Sequence, residues 1–404
     1  MVLSSKRFTN GILSLICFFI LLEPPYFKQI QFIDNIFKVS QIVIFFVGIY
    51  FYFVGKKKSD RISKIVVVMI VYHAVLIVVT VLNGGLVLQI GYQALQFCCF
   101  AIYLDMVLIN NPKMLFRTCM PILEIYLVLN FFTIIFCQEG LYRSDTFVKF
   151  TYYFLGYDNQ NINFILPALV LVLIYSVGSK GHRLHLIFCY CVAILTAIQI
   201  WSGMTLIVVC TMSFLAVICL KKNNYFIEKI LSGNWFNGIS LLWANIVMNI
   251  SIVILRLQYL LEFLIVDILQ KDITLTGRTV LWDRNFYYIF MKPCWGYGVD
   301  SAKKRALKLG YSASAPQGLH AHNRFVETLY RGGFVLFGIY LWMLFYAAKC
   351  LKKFKNERIS KILAFSIFIY LGGMITEFYD YCIFFWGFLV MSERVNNIID
   401  VFKN

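Results

Sequence analysis

The sequence predicts an all-α protein, a bundle of about twelve transmembrane helices that forms a single integral membrane domain over residues 1–404. Three observations predict this fold class. The chain is 60% hydrophobic and only 14% charged, whereas roughly a quarter of the residues are charged in a typical soluble domain. Apolar runs long enough to cross a bilayer recur along the whole chain. The short connections between these runs carry lysine and arginine in an alternating manner.

The apolar runs define the predicted spans one by one. A spanning helix needs about 20 mostly apolar residues, and the first and last runs are short by this criterion. Phe8 to Leu22 follows Lys6 and Arg7 as a signal peptide would, but no small-residue cleavage site follows it, so we expect it to remain as the first span. The predicted spans are about 8–22, 37–54, 65–82, 88–109, 119–137, 162–178, 184–200, 203–220, 239–256, 334–351, 359–374 and 381–395.

The net charge of +17 is explained mainly by topology. Lysine and arginine cluster in the connections after spans two, four, six, eight and ten, and the other short connections lack them. The positive-inside rule therefore places both termini in the cytoplasm and the long connection of residues 257–333 outside the cell (inner or plasma) membrane, between spans nine and ten. A basic soluble protein would suggest a nucleic-acid partner, but this distribution predicts the lipid bilayer instead.

The long connection 257–333 is polar and rich in cations. It contains Arg278 after Gly277, and His322-Asn323 near its end. A guanidinium binds phosphate in a bidentate manner, and an imidazole can accept a proton from a hydroxyl near neutral pH. Each has a structural alternative: Arg278 in a salt bridge to Asp272, Asp283 or a lipid headgroup, and His322 as a helix-capping or interfacial residue.

Further charged residues are expected to form ion pairs or to assist proton transfer. Glu327 and Arg331 are spaced to pair along a helix, and Glu377 with Asp380 are weaker acid/base candidates near the outer face. Asp105 and Glu124, inside spans, are expected to be ion-paired or to reach toward the interface. A basic patch is expected to face solvent or lipid headgroups; it comprises Lys303, Lys304, Arg305 and Lys308.

Several chemistries are not expected. The chain has no phosphate-binding loop, no dinucleotide-binding glycine pattern and no HExxH motif, which argues against nucleotide use. His320-x-His322 resembles a metal pair, but no third ligand cluster is evident, so we expect no metal and no cofactor. The 12 cysteines lack a Cys-x-x-Cys pair and lie mostly inside spans, which predicts free thiols.

The long connection contains a series of motifs in a fixed order: Thr276-Gly277-Arg278, Trp282, Pro293, Gly296-Tyr297-Gly298, His322-Asn323 and Gly333. Taken in this order, these motifs resemble those of the superfamily of O-antigen or capsular polysaccharide polymerases (Wzy) and O-antigen ligases. The resemblance implies a metal-independent glycosyltransferase whose donor is a glycan on undecaprenyl diphosphate. It implies that His322 is the general base or orients the acceptor, and that Arg278 binds the departing diphosphate.

One departure from the family pattern affects the phosphate site. Many relatives carry an arginine in the short outer turn between spans seven and eight, where this chain reads Trp201-Ser202-Gly203-Met204-Thr205. Arg143, Arg284 or Arg324 could substitute for it. Trp282 and Tyr297 could stack on sugars or anchor the loop. The predicted substrate-binding residues are therefore Asn323, Arg284, Arg324, Trp282, Tyr297 and Arg143.

The favoured function is polymerisation of lipid-linked oligosaccharide repeat units for capsular, exopolysaccharide or O-antigen synthesis. One alternative is a ligase that transfers the lipid-linked glycan to a different acceptor. An alternative from another class is a transporter or flippase of the precursor, which would predict polar residues near the membrane midplane and internal repeats. The expected partners are the undecaprenyl-diphosphate-linked oligosaccharide and the bilayer, with a chain-length regulator and a flippase of the same pathway as further candidates.

Overall fold

The computed structural model describes residues 5–54, 62–143, 151–179, 183–221, 225, 229, 231, 233, 235–268, 272–274, 277–311, 320–377 and 382–403. Within these residues the chain is helical and forms no strand; two isolated antiparallel bridges join Tyr142 to Tyr152 and Tyr153 to Gly156. The predicted all-α class is confirmed. The cysteines are free, as predicted.

The described residues include fifteen helices that are referred to below. They are α1 (Gly11–Leu21), α2 (Gln31–Val54), α3 (Lys64–Leu82), α4 (Val87–Asn110), α5 (Leu115–Phe136), α6 (Asp158–Ser179), α7 (Arg183–Ile200), α8 (Gly203–Leu220), α9 (Gly238–Ile254), α10 (Arg278–Met291), α11 (Ala302–Lys308), α12 (Arg324–Lys353), α13 (Arg358–Gly373), α14 (Ile383–Glu393) and α15 (Val395–Asp400). Short helical turns occur at Ser5–Phe8, Phe27–Gln29, Leu257–Leu261 and Phe263–Ile268.

Eight of the described helices, α2 to α8 and α12, are long and apolar enough to cross a membrane. The helices α1, α9 and α14 are apolar but shorter, and α13 has 16 residues. Each of the twelve predicted spans overlaps one of these helices. The count of twelve, the orientation of the termini and the outer position of the long connection stay predictions.

Two helices are enclosed by the rest of the bundle. The apolar stretch of α4 is 83% buried and that of α6 is 72% buried, against 33 to 44% for the other six. The outer helices expose large apolar side chains, which suits a hydrocarbon environment that is as apolar as the side chains themselves. Polar residues further along these helices, such as Gln93 on α4 and Asn163 on α6, are therefore buried inside the protein.

The turn of residues 293–298 lies against a kink in α12. The Tyr297 N–H donates to the Tyr330 carbonyl at 2.9 Å, and the Phe334 N–H donates to the Pro293 carbonyl at 2.7 Å. Gly333 forms the kink with φ +62° and ψ −162°. A Cβ at this position would collide with the backbone of the turn, so glycine is required both by the left-handed φ and by the close approach. These contacts explain why the proline and glycine motifs occur together.

Candidate active site

The sequence-predicted histidine is held in a strained conformation at the start of α12. His322 has φ +50°, in the left-handed region that residues other than glycine rarely adopt. Its neighbour Asn323 caps α12, where its Oδ1 accepts the N–H groups of residues 325–326 at 2.9 and 3.0 Å. The Asn323 Nδ2 donates to Asn249 Oδ1 at 3.0 Å and to the Ile375 carbonyl at 2.9 Å. Strain of this kind persists only where the surroundings enforce it, and it is common at functional sites.

Asn323 is fully buried. Its amide already makes two donor and two acceptor contacts, which is the full capacity of the group. The geometry therefore gives Asn323 a positioning role, because it ties α12 to α9 and to the end of α13. A direct contact with substrate, as predicted from the sequence, stays a prediction that this geometry does not favour.

A buried ion cluster holds the residues that precede His322. The Glu327 carboxylate is fully buried and accepts hydrogen bonds from Arg305 at 2.6 and 2.7 Å and from Arg331 at 2.5 Å. It also accepts the backbone N–H of Ala321 at 2.8 Å. Arg305 donates further to Asn285 Oδ1 at 3.0 Å. The cluster thereby connects α10, α11 and the backbone next to His322 to α12. The predicted pairing of Glu327 with Arg331 is confirmed.

The prediction of a solvated basic patch is wrong for Arg305, which is 3% exposed. Its counter-charge, Glu327, lies in another segment of the chain, which the local pattern does not reveal. Lys304 and Lys308 contact Asp300 at 3.1 and 2.7 Å. Lys303 is exposed, as expected for a solvated residue.

The predicted aromatic residues anchor the loop. Trp282 is fully buried, and its Nε1 donates to the Ala321 carbonyl at 2.8 Å. Tyr297 stacks on Tyr330 with ring centroids 5.2 Å apart, and Lys308 lies over the Tyr297 ring at 4.5 Å. Of the two roles considered for these rings, anchoring is the one that the geometry supports.

Glu377 joins the two predicted catalytic residues. Its Oε1 accepts from Arg278 Nη2 at 2.5 Å, and its Oε2 lies 3.6 Å from His322 Nδ1. The three side chains are partly exposed, at 21% for Arg278, 26% for His322 and 17% for Glu377, so a ligand can reach them. Asp283, a partner considered for Arg278, pairs with Arg256 instead at 2.6 Å. Thr276 and Asp380 lie outside the described residues.

The charge state of Glu377 follows from its surroundings. Burial would raise its pKa, but the neighbouring His322 imidazole and the Arg278 guanidinium outweigh this effect and hold the pKa below its ordinary value of 4.5. The carboxylate is therefore ionised at neutral pH. An ionised carboxylate beside an imidazole Nδ1 can fix the orientation of the ring and stabilise its protonated form.

The lowered pKa of Glu377 predicts a pH-dependent stability. Because the pKa is lower in the folded than in the unfolded protein, the ionised carboxylate stabilises the fold above pH 4.5, and this contribution is lost as the pH falls through the folded-state pKa. We expect the Tm of the wild type to exceed that of Glu377→Gln at about pH 6, and the margin to shrink in buffer more acidic than about pH 4.5. Thermal unfolding in detergent at stepped pH measures this. A margin that persists unchanged in acid would contradict the ion pairing.

A cavity of about 960 Å³ opens beside His322 and Glu377. It reaches the upper end of the range of about 300–1,000 Å³ typical of ligand sites. His320 also lines it, with its ring centroid 4.1 Å from that of His322. The walls come from the connection between α1 and α2, from residues around Tyr142 and Tyr152, and from the N-terminal turns of α2, α4 and α6. The cavity therefore lies at the end of the bundle that the sequence predicts to face outward.

The three arginines considered as replacements for the missing turn arginine lie in different places. Arg143 lines the cavity, and its exposed side chain contacts Glu139 at 3.5 Å. Arg284 donates to the Leu309 carbonyl at 2.7 Å and is not among the lining residues that the structure describes. Arg324 is 8% exposed and lies 5.6 Å from the ring centroids of Tyr340 and Trp386, inside the bundle. Arg143 is thus the replacement that the geometry favours.

A possible metal-ligand group lies elsewhere. In the described part of the chain, side chains with metal-ligand atoms meet at Glu124, His185 and Cys189, on α5 and α7. His185 Nε2 is 3.0 Å from the Glu124 carboxylate, which confirms that this acid has an ionisable partner. Asp105 is likewise paired, with Arg394 at 2.7 Å. His185 is at the start of α7, at the opposite end of the bundle from the cavity.

The fold and the site together define a multi-pass helical membrane protein with a histidine beside a carboxylate at a deep cavity, an arrangement expected of an enzyme. Residues 162–341 match the family model described as O-antigen ligase. The match includes Arg278 and His322 and confirms, over this region, the predicted resemblance to the O-antigen polymerase and ligase superfamily. No curated protein and no solved structure matches the chain significantly.

Proposed function

We propose that this protein polymerises undecaprenyl-diphosphate-linked oligosaccharide repeat units by metal-independent glycosyl transfer at the outer face of the membrane. The observation that carries the proposal is the contact of Glu377 with both His322 and Arg278 at the edge of the cavity. These residues combine a proton acceptor, an orienting carboxylate and a permanent cation, which are the groups that this reaction requires.

The proton-transfer step is assigned to His322. With Nδ1 directed at Glu377, the other ring nitrogen, Nε2, is the one that accepts the proton of the acceptor hydroxyl. The hydroxyl oxygen forms the new bond to the anomeric carbon of the donor. The bond from that carbon to the diphosphate oxygen breaks, and the lipid diphosphate leaves with the electron pair. Glu377 stabilises the imidazolium that forms.

The departing diphosphate is assigned to the arginines. A guanidinium carries five N–H donors, and Arg278 contacts Glu377 through Nη2. It can therefore hold Glu377 and bind a phosphate oxygen at the same time. Arg143 supplies a second cation on the cavity wall. Positive charge at the position where negative charge develops lowers the barrier of the transfer.

The ligase reaction is the second candidate, and the description of the matching family favours it. A ligase would use the same donor chemistry and would differ in the acceptor. Purified protein, incubated in detergent with lipid-linked repeat units of its own host and EDTA, tests the proposal by gel separation of the products. A ladder of products is expected. A single transfer onto an added second acceptor would identify a ligase, and an absence of transfer would favour a transporter.

The cavity geometry predicts unequal roles for two arginines. Arg143→Gln is expected to lower kcat/KM for the lipid-linked donor by about tenfold, because it removes a charge-assisted contact to phosphate. Arg284→Gln, the matched control, is expected to leave kcat/KM near that of the wild type, since Arg284 bonds to the loop backbone. Initial rates at several donor concentrations measure both. A fall in kcat/KM in Arg284→Gln but not in Arg143→Gln would show that the diphosphate does not bind at Arg143.

A further inference from the structure

The cavity extends away from His322 to a second polar wall. This wall, here called the glycan wall, comprises Glu23 in the connection after α1, Tyr92 and Gln96 on α4, and Asn163 on α6. Gln96 lies on the third turn of α4, roughly 14 Å from the first residue of the helix. The cavity is thus long and penetrates the bundle, and its polar lining continues far beyond the groups that act on the reacting atoms.

Part of the glycan wall is fixed by an internal hydrogen-bond network. Gln41 Oε1 accepts from Tyr92 Oη at 2.7 Å and from Gln96 Nε2 at 3.0 Å. Gln41 Nε2 in turn donates to the Ile20 carbonyl at 3.0 Å. Side chains held in this way are pre-organised, which reduces the entropy lost when a ligand binds.

Two acceptor groups on the glycan wall lack donors. Glu23 is 6% exposed. Among the described residues no donor lies in good hydrogen-bond geometry to either of its carboxylate oxygens, although Gln41 is close enough to lower the pKa of Glu23 slightly. Asn163 is 8% exposed, and its Oδ1 likewise has no donor in the described part of the chain. Buried polar groups without partners are uncommon in folded proteins and costly. Asn163 Oδ1 and the ionised form of Glu23 are acceptors, so water or a ligand with O–H or N–H groups would satisfy them.

The local charges indicate that this partner is neutral. Lys28, Asp34 and Lys38 line the same part of the cavity as Glu23. Lys38 pairs with Asp34 at 2.5 Å, and Lys28 acts electrostatically on Glu23, so charges of both signs line this part of the cavity. Burial, only partly opposed by Lys28, raises the pKa of Glu23 to about 7. An additional anion would meet the Glu23 carboxylate, and an additional cation would meet two lysines, whereas neutral hydroxyl groups would fit.

We propose that the glycan wall is a sugar-recognition subsite, in which Glu23 and Asn163 Oδ1 accept hydrogen bonds from hydroxyl or amide N–H groups of a neutral sugar residue. This inference rests on the proposed function for the identity of the ligand. It assigns the sugar part of the substrate to Glu23 and Asn163. The diphosphate stays assigned to the arginines, as in the proposed function.

Binding measurements with two separate probes test the subsite. The first probe is the oligosaccharide released by mild acid from the lipid-linked repeat units of the host, and the second is undecaprenyl diphosphate without sugar. Glu23→Leu and Asn163→Leu are expected each to weaken binding of the oligosaccharide by about tenfold and to leave binding of undecaprenyl diphosphate unchanged. Glu23→Gln, which keeps one acceptor oxygen, should weaken oligosaccharide binding less than Glu23→Leu does.

The controls separate binding from folding. Glu357→Leu removes a carboxylate of 44% exposure that pairs with Lys403 outside the cavity, and it should bind both probes as the wild type does. Asn163→Leu removes a neutral group whose Oδ1 has no donor in the described part of the chain, so its Tm should stay close to that of the wild type. Weaker oligosaccharide binding by Asn163→Leu at an undiminished Tm would support the subsite. An equal loss of binding of the oligosaccharide and of undecaprenyl diphosphate would overturn the subsite.

Failure of the subsite and failure of the proposed function are distinguishable. Oligosaccharide binding that is unchanged in Glu23→Leu and Asn163→Leu, or absent in the wild type because the cavity holds only water, would overturn the subsite whatever the activity. Binding that depends on Glu23 in a protein that transfers no sugar would retain the subsite and refute the transferase.

Discussion

Replacement of His322 by alanine is expected to reduce glycosyl transfer by about 10²- to 10⁴-fold, the contribution typical of a positioned general base. His322 Nδ1 lies 3.6 Å from the Glu377 carboxylate, and His322 lines the cavity. The loss should appear in kcat, because the imidazole acts on the hydroxyl proton in the transition state. Transfer rates with the lipid-linked donor at saturating concentration measure it.

Two further variants make this result specific. His322→Asn places at the strained position a residue that tolerates the left-handed backbone better than alanine does, so it should be inactive while its Tm stays close to that of the wild type. His185→Ala removes a histidine of comparable exposure that pairs with Glu124 away from the cavity, and it should retain activity. Full-length polymer from both His322 variants would refute the assignment.

Glu327→Gln is expected to have the largest effect on stability. The substitution removes the shared counter-charge of Arg305 and Arg331, which are 3% and 8% exposed. Breaking a buried ion pair by removal of one partner typically costs about 3–5 kcal/mol, since a charge is left buried and uncompensated. Transfer should fall as well, because the Ala321 N–H next to His322 loses its carboxylate partner. Thermal unfolding in detergent and transfer rates measure the two effects.

Glu139→Gln is the matched control for Glu327→Gln. Glu139 also pairs with an arginine four residues later, but both side chains are largely exposed, at 91% and 78%. Exposed pairs contribute only about 0–1 kcal/mol, so the Tm should change little. Similar shifts in the two variants would show that the Glu327 cluster does not support the site.

The sequence alone predicts much of the helical architecture. Apolar periodicity and length are local properties, so the helices coincide with the predicted spans within a few residues at most boundaries. The motif order in the long connection also selects His322 and Arg278, which the structure brings to one carboxylate. The motif residues can be recognised because each sits at a position with a special backbone role, as Asn323 at the helix cap and Gly333 at the kink illustrate.

The contacts that build the site could not be predicted in the same way. The partner of Arg278 lies 99 residues away in Glu377, and the partner of Arg305 lies 22 residues away in Glu327. Such pairs depend on how the helices pack, and the local sequence does not encode them. The basic run around Arg305 therefore has the sequence pattern of a solvated segment, although Arg305 is buried. Glu23 gave no signal either, because its significance arises from the cavity that it lines.

Photo-crosslinking tests most directly whether the lipid-linked glycan reacts in the cavity beside His322. The probe is a lipid-linked repeat unit with a diazirine on the sugar attached to the diphosphate, and mass spectrometry locates the adducts. We expect adducts on peptides that contain His322 or Glu377, and we expect unlabelled substrate to suppress them. The assignment of the active site would be contradicted if no adducts occurred on the cavity and adducts occurred instead on the surface near His185. Such adducts would also persist in the presence of unlabelled substrate.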